Sequence, residues 1–154
     1  MKQVFDPIRQ QWLKANPEEI VRQELLKQMI ETLGFPKDLL VVEKSLREIL
    51  LSCPESSQVP QRRIDILSYF KDPKEGLQPL LLIECKSLPI ERSAIEQVKA
   101  YNYYLKARFF AVANQREVFT AFFNSSKNEY SFFKGLLPYK ELLCLCGLKS
   151  KQNS

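Results

Sequence analysis

The sequence predicts an α/β protein, with a central mixed sheet (α+β in its use of hairpins) flanked by helices. Three observations carry that expectation. Apolar runs suited to strands recur between segments whose apolar residues fall at helical spacing. The apolar runs 63–70 and 79–86 are separated by the turn-rich stretch KDPKEGLQ, which marks a hairpin, whereas 79–86 and 109–113 are separated by a helix, which marks a crossover. A chain of 154 residues with 45% hydrophobic content can build one compact core and hardly two. Residues 1–16 read as an N-terminal extension, 17–148 as a single domain and 149–154 as a polar tail that frays.

The first helix is expected over 17–33. Asn16 is a good N-cap, Pro17 suits the first helical position, and Glu18 and Glu19 favour the positive end of the helix dipole. Glu19 also stands three residues after Asn16, as in a capping box. Val21, Leu25, Met29 and Leu33, with Leu26 and Ile30 beside them, recur at spacings of three and four until Gly34 and Pro36 end the pattern. A strand follows at 39–42, and 45–50 either continues it or folds differently. The stretch 53–61, CPESSQVPQ, reads as a loop. The hairpin then occupies 63–70, a turn over 71–78, and 79–86. Ala94, Ile95, Val98, Asn102 and Leu105 define a helix over 90–106, which would be the crossover to a strand at 109–113. Asn114-Gln115 turns into a strand at 118–123. A short strand near 130–133 and a helix over 138–146 complete the order.

Composition removes several classes of chemistry. The chain has no histidine, which excludes a Ser-His-Asp triad, a Cys-His pair and any histidine metal ligand. Its four cysteines, Cys53, Cys85, Cys144 and Cys146, form no C-x-x-C pair and read as reduced and structural. Chemistry is left to carboxylates, Lys, Tyr, or a metal held by oxygens. The formal charge of +5 tolerates a polyanionic partner without requiring one. There is no long uncharged apolar run and the start of the chain lacks the apolar stretch of a secretory signal, so the expectation is a cytoplasmic protein with no membrane partner.

One segment concentrates the remaining chemistry. In Leu80-Leu81-Leu82-Ile83-Glu84-Cys85-Lys86-Ser87, four large aliphatics run straight into a carboxylate and an amine. Period-two geometry puts Glu84 and Lys86 on one strand face, as at the end of a doubly covered central strand that projects polar groups into a cleft. A simple hairpin register brings Asp65 close to both. Paired Asp and Glu oxygens suit a hard divalent ion such as Mg2+, with Mn2+ as a substitute, and such an ion stabilises charge on a phosphoryl oxygen and makes its bound water easier to deprotonate. A solvated cross-strand face of no special function would use the same Glu-x-Lys spacing. Arg62 and Arg63, just before Asp65, read as phosphate contacts, as a solvated strand entrance, or as partners that keep the carboxylates ionised.

Asp65 followed by Glu84-Cys85-Lys86 after an aliphatic strand resembles the D…(D/E)-x-K signature of the PD-(D/E)xK nuclease superfamily, with the two acids 19 residues apart. The stretches PEEIVRQELLKQMIETLGFP, VVEKSLRE, RRIDIL and LLLIECKS, with the Gln97 to Tyr101 helix, more closely resemble the N-terminal nuclease domain of type I restriction enzyme R subunits in a small stand-alone form. The likeness spans roughly residues 17 to 123, and Ile64 replaces the proline of the name motif. It implies a restriction-endonuclease-like core and Mg2+-dependent hydrolysis of DNA phosphodiester bonds. By the same resemblance, Asp65 and Glu84 are metal ligands, the Cys85 backbone carbonyl a further one, and Lys86 positions or activates the attacking water. Glu19 matches an acid that the family brings toward the metal or its waters. Gln97 and Tyr101 match a Q-x-x-x-Y element that binds DNA or steadies the cluster. The alternatives are a catalytically silent nucleic-acid-binding module and an interaction subunit of a larger restriction or repair assembly. Cutting both strands needs two sites or two nicks, so a homodimer is among the expected partners.

Overall fold

The computed structural model of the chain describes residues 2–51 and 59–148. It opens with a small antiparallel hairpin, β1 (Gln3–Asp6) and β2 (Gln11–Lys14), where the sequence suggested only an extension. Asp6 makes this turn. It is fully buried, and its Oδ1 accepts from the Ile8 and Arg9 amides at 2.8 and 2.9 Å. Short polar side chains that bond the backbone two and three residues on are a turn device, and here the sequence signal was a lone Asp-Pro.

Helix α1 (Pro17–Glu31) begins as expected, with Asn16 Oδ1 accepting from the Glu19 amide at 2.8 Å. It ends two residues earlier than the apolar pattern suggested. The Phe35 amide returns to the Met29 carbonyl at 2.9 Å and Gly34 takes φ 73°, a left-handed stop that glycine adopts without a Cβ penalty. A 3-10 turn (Lys37–Leu39) leads into β3 (Leu40–Ser45). Residues 45–50, for which two readings stood open, do not extend the strand: Ser45 Oγ accepts from the Glu48 amide at 3.1 Å and starts the single turn α2 (Leu46–Ile49). Of the expected loop 53–61, residues 53–58, Cys53 among them, lie outside the described residues, as does the expected frayed tail 149–154.

The strands β4 (Arg63–Asp72) and β5 (Gly76–Cys85) are longer than expected, and their turn is tighter. Asp72 Oδ1 accepts from the Lys74 and Glu75 amides at 2.7 and 3.0 Å, and Gly76 supplies φ 77°. Helix α3 (Arg92–Leu105) crosses over to β6 (Phe109–Ala113), which lies parallel to β5. Antiparallel β7 (Val118–Asn124) and β8 (Glu129–Lys134) follow, then α4 (Tyr139–Leu145). The result is a six-stranded mixed sheet in the order β3-β4-β5-β6-β7-β8, the flanked mixed sheet that the sequence predicted.

Both faces of the sheet are covered. Val21, Leu26 and Met29 of α1 pack with Phe70, Leu81 and Ile83. Val98, Tyr101 and Leu105 of α3 pack with Leu67, Leu82 and Phe110 on the other face. That double cover explains the unbroken aliphatic run of β5: Leu80, Leu81, Leu82 and Ile83 are all at most 1% exposed, each stabilising the fold by about 1.5–3 kcal/mol through burial.

One irregularity governs what meets at the strand ends. Near the turn, Asp72 pairs with Gly76 and Tyr69 with Pro79; beyond it, Ser68 pairs with Leu81 and Ile66 with Ile83. Leu80 is therefore an extra residue on β5, a bulge beside Pro79, whose missing amide is tolerated at such a break. Continued unshifted from the turn, the register would set Asp65 across from Ile83. With the bulge it sets Asp65 across from Glu84, and because side chains alternate, that single step puts the two acids together.

Candidate functional site

The carboxylates gather where β3, β4 and β5 end beside the start of α1. Asp65 and Glu84 are 7% and 8% exposed, so neither is a solvated surface charge. Asp65 Oδ2 accepts from the Cys85 amide at 2.8 Å, which fixes the carboxylate across the strand ends. Glu84 faces two cations at longer range, Arg62 Nη2 at 3.9 Å and Lys86 Nζ at 4.0 Å from its Oε1. Burial and then the neighbouring Asp65 charge push the Glu84 carboxyl up to about 8, more than Lys86 and Arg62 offset. Two acids in one partly dry place call for a proton or a cation between them. The main chain continues this order, as the Lys86 amide bonds the Ala113 carbonyl of β6 at 2.8 Å.

The Cys85 side chain is fully buried among apolar residues, and burial foremost raises its thiol well above the ordinary value. A thiol so held is a packing group. Cys144 and Cys146 are also free, in keeping with the reduced state expected for them.

The other predicted site residues divide. Tyr101 is brought in by Arg62, whose guanidinium lies 4.9 Å above its ring. Arg62 thus bridges α3 and Glu84. Gln97, one turn earlier, is exposed, and among the described residues no hydrogen bond ties it to the cluster. Arg63 points outward, donating to the Glu43 carbonyl at 2.8 Å. Glu19 does not close a capping box, since the Asn16 amide is taken by the Lys14 carbonyl. Its Oε1 accepts instead from Arg22 Nη1 at 2.7 Å and Arg9 Nη2 at 3.0 Å, and its Oε2 from Gln23 Nε2 at 3.0 Å. Glu19 therefore reaches Asp65 only through Arg22.

Arg22 and Glu43 were given no role in the sequence reading. Arg22 Nη2 donates to both Asp65 Oδ1 and Glu43 Oε1. A signal existed: Glu19 and Arg22 stand on the same buried helical stripe as Leu26 and Met29, and charged residues on a buried stripe need partners. Glu43 carried no such signal, because its position depends on a left-handed backbone, φ 53°, inside β3.

Among the described residues no group of three or more His, Cys, Asp or Glu side chains is placed to hold a metal ion. Clefts of about 630, 530 and 460 Å³ among the described residues are lined by residues other than Asp65, Glu84 and Lys86. No helix among the described residues is long and apolar enough to cross a membrane.

A mixed sheet covered on both faces, with acids and a lysine at the open end of its central hairpin, defines a restriction-endonuclease-like α/β domain. The chain matches the family described as type I restriction enzyme R protein N terminus over residues 17–136, most of its length, and belongs to that family. Membership makes it a nuclease-related domain. No match was found among curated proteins or among solved structures.

Proposed function

We propose that this chain is a Mg2+-dependent endonuclease that hydrolyses DNA phosphodiester bonds, with Asp65, Glu84 and Lys86 as its catalytic residues. The observation that carries the reading is the bulge at Leu80, which sets Asp65 across from Glu84 with Lys86 4.0 Å from the second acid. A two-carboxylate donor set fits Mg2+, which keeps several waters and is commonly held by one or two carboxylates together with substrate phosphate. The lack of a third acidic ligand among the described residues is compatible with that habit, and the Cys85 backbone carbonyl would be a further oxygen donor. The raised Glu84 carboxyl supports the same fit: burial foremost, and then the Asp65 charge, raises it, and a cation between the acids would offset both.

The ion, when bound, supplies a Lewis acid for the developing charge on a phosphoryl oxygen. The chain's own residues do the rest. Asp65 and Glu84 present oxygens already oriented by the strand ends. Lys86, with three donor hydrogens and a partly exposed head, positions the attacking water. Arg62 holds a positive charge beside the acids where a phosphate would approach, and Tyr101 supports it from below. Gln97 and Arg63, both at the surface, are left to contact the DNA backbone. The match to an R-protein terminus suggests that the chain works with other subunits of a restriction assembly. A homodimer would supply the two sites that a double-strand cut needs.

A second reading, a silent nucleic-acid-binding domain, is favoured by one observation: Arg22 already holds Asp65. One experiment separates the two. Supercoiled and single-stranded DNA are incubated with the protein in Mg2+, Mn2+ or EDTA, beside Asp65→Ala and Lys86→Ala. Metal-dependent cutting lost in both variants supports the nuclease. Folded but equally inactive proteins that hold DNA without a divalent ion, with affinity falling steeply in salt, support the binder.

A further inference from the structure

The acidic cluster is built around a residue to which the reading above assigns no role. Arg22 has a side chain only 5% exposed and bonds three carboxylates from three elements: Glu19 of α1, Glu43 of β3 and Asp65 of β4. Burial works against its charge, but the Asp65 hydrogen bond and the charges of Asp65, Glu19 and Glu43 outweigh it and raise its pKa. Glu43 sits between Val42 and Lys44, which pair with Ile66 and Ile64, so it faces Asp65 across the two strands. To aim its carboxylate at Arg22 it holds a left-handed backbone that costs a non-glycine residue about 1 kcal/mol or more. A second arginine, Arg9, closes the far side of Glu19. Without Arg22, Glu19 would keep Arg9 and Glu43 would keep Arg63 at 3.7 Å, but the buried Asp65 would lose its one ion-pair partner among the described residues, a costly arrangement.

We propose that Arg22 is the internal counter-cation of this cluster. It is a positioning residue that fixes Asp65 through Oδ1 and fills the α1 side of the site with a charge attached to the chain. A divalent ion is then admitted only on the Glu84 side, and the site works with one ion. The ion count rests on the metal-dependent reading above; the counter-cation role is tested independently of it. With the guanidinium between them, Glu19, Glu43 and Asp65 are not placed to hold a metal ion; its removal would let their oxygens close on a divalent ion, which prefers such ligands.

The test compares wild type with Arg22→Met, Arg22→Lys and Glu84→Gln, counting bound Mn2+ by the loss of the free-ion electron paramagnetic resonance signal and following thermal unfolding in EDTA and in Mn2+. Wild type and Arg22→Lys should bind about one ion, and Arg22→Met about two. Arg22→Met should melt on the order of 5–10 °C below wild type in EDTA and recover most of that in Mn2+, because a ligand of the folded state stabilises it, while wild type gains much less. An Arg22→Met protein with the wild-type ion count and no selective recovery in Mn2+ overturns the proposal. A wild type that binds no Mn2+, with Glu84→Gln unchanged, sinks the nuclease reading alone, and the selective recovery of Arg22→Met still decides the counter-cation role. If Arg22→Met does not fold, the combined variant Arg22→Met, Glu19→Gln, Glu43→Gln removes the unpaired charges. Its folding in EDTA supports the counter-cation role, and its failure to fold overturns it.

Discussion

Replacing Asp6 by alanine cuts the first link in a chain of ion pairs that runs from the N-terminal hairpin through Arg9, Glu19 and Arg22 to Asp65. The buried Asp6 carboxylate accepts four hydrogen bonds: the Ile8 and Arg9 amides on Oδ1, and Arg9 Nε at 2.6 Å with Gln23 Nε2 at 3.0 Å on Oδ2. Removing it strands two main-chain donors and one face of a guanidinium, at about 1–3 kcal/mol for each donor that stays dry. Relaxation of the hairpin lets water reach part of them, so the net loss at pH 7 should be about 2–4 kcal/mol. The effect has a defined pH sign. Burial pushes the Asp6 carboxyl up, but the Arg9 amide and side chain, with Ile8 and Gln23, outweigh it and hold the group below the ordinary value of 3.8. A depressed carboxyl stabilises the fold fully above its unfolded pKa and loses that contribution as pH falls through the folded one. Urea unfolding of wild type and Asp6→Ala should therefore show a wide gap at pH 7 that narrows steadily below about pH 4. A gap under about 0.5 kcal/mol at pH 7, or one undiminished in acid, would refute the reasoning.

Three further outcomes follow from the geometry. Cys85→Ala keeps the amide that bonds Asp65, so Mn2+ affinity should stay within about two-fold while stability falls by about 1–2 kcal/mol from the small cavity; calorimetric titration and urea midpoints check both. Tyr101→Phe should hold stability within about 1 kcal/mol and retain DNA cleavage, because the ring beneath Arg62 is what the structure uses, whereas Tyr101→Ala should lose about 3–4 kcal/mol; a cleavage defect in the folded phenylalanine variant would assign the work to the hydroxyl. Arg62→Ala should weaken DNA binding and lower the slope of log affinity against log salt by about one, while Arg63→Ala should change stability by less than about 1 kcal/mol, its side chain being exposed; equal slopes for wild type and Arg62→Ala would remove Arg62 from the phosphate path.

The sequence by itself determined the fold class and, apart from the single turn α2, the main element order from α1 onward, because its signals are local. The Asn16 cap, the aliphatic run into Glu84 and the left-handed stop at Gly34 act within a few residues and read the same in any context. It also singled out Glu84 and Lys86, as charges that end an aliphatic strand, and Asp65 through the hairpin register and the family resemblance. It placed Asp65 near Glu84 only through a simple register about the expected turn at 71–78. The turn that forms is tighter, and from it an unshifted register would set Asp65 across from Ile83; the extra residue at Leu80 restores the pairing with Glu84. The N-terminal hairpin was unreadable for a similar reason: four-residue strands gain stability from packing on α1, not from their own pattern. Glu19 was visible, but its role was not, because a helix cap and an arginine ligand look alike along the chain. Arg22 left a trace in the sequence, a charge on the buried stripe of the first helix, but its partners, and the part played by Glu43, belong to tertiary structure. A buried guanidinium is stable only where carboxylates converge from separate elements, and that convergence exists only after the sheet and the first helix have met.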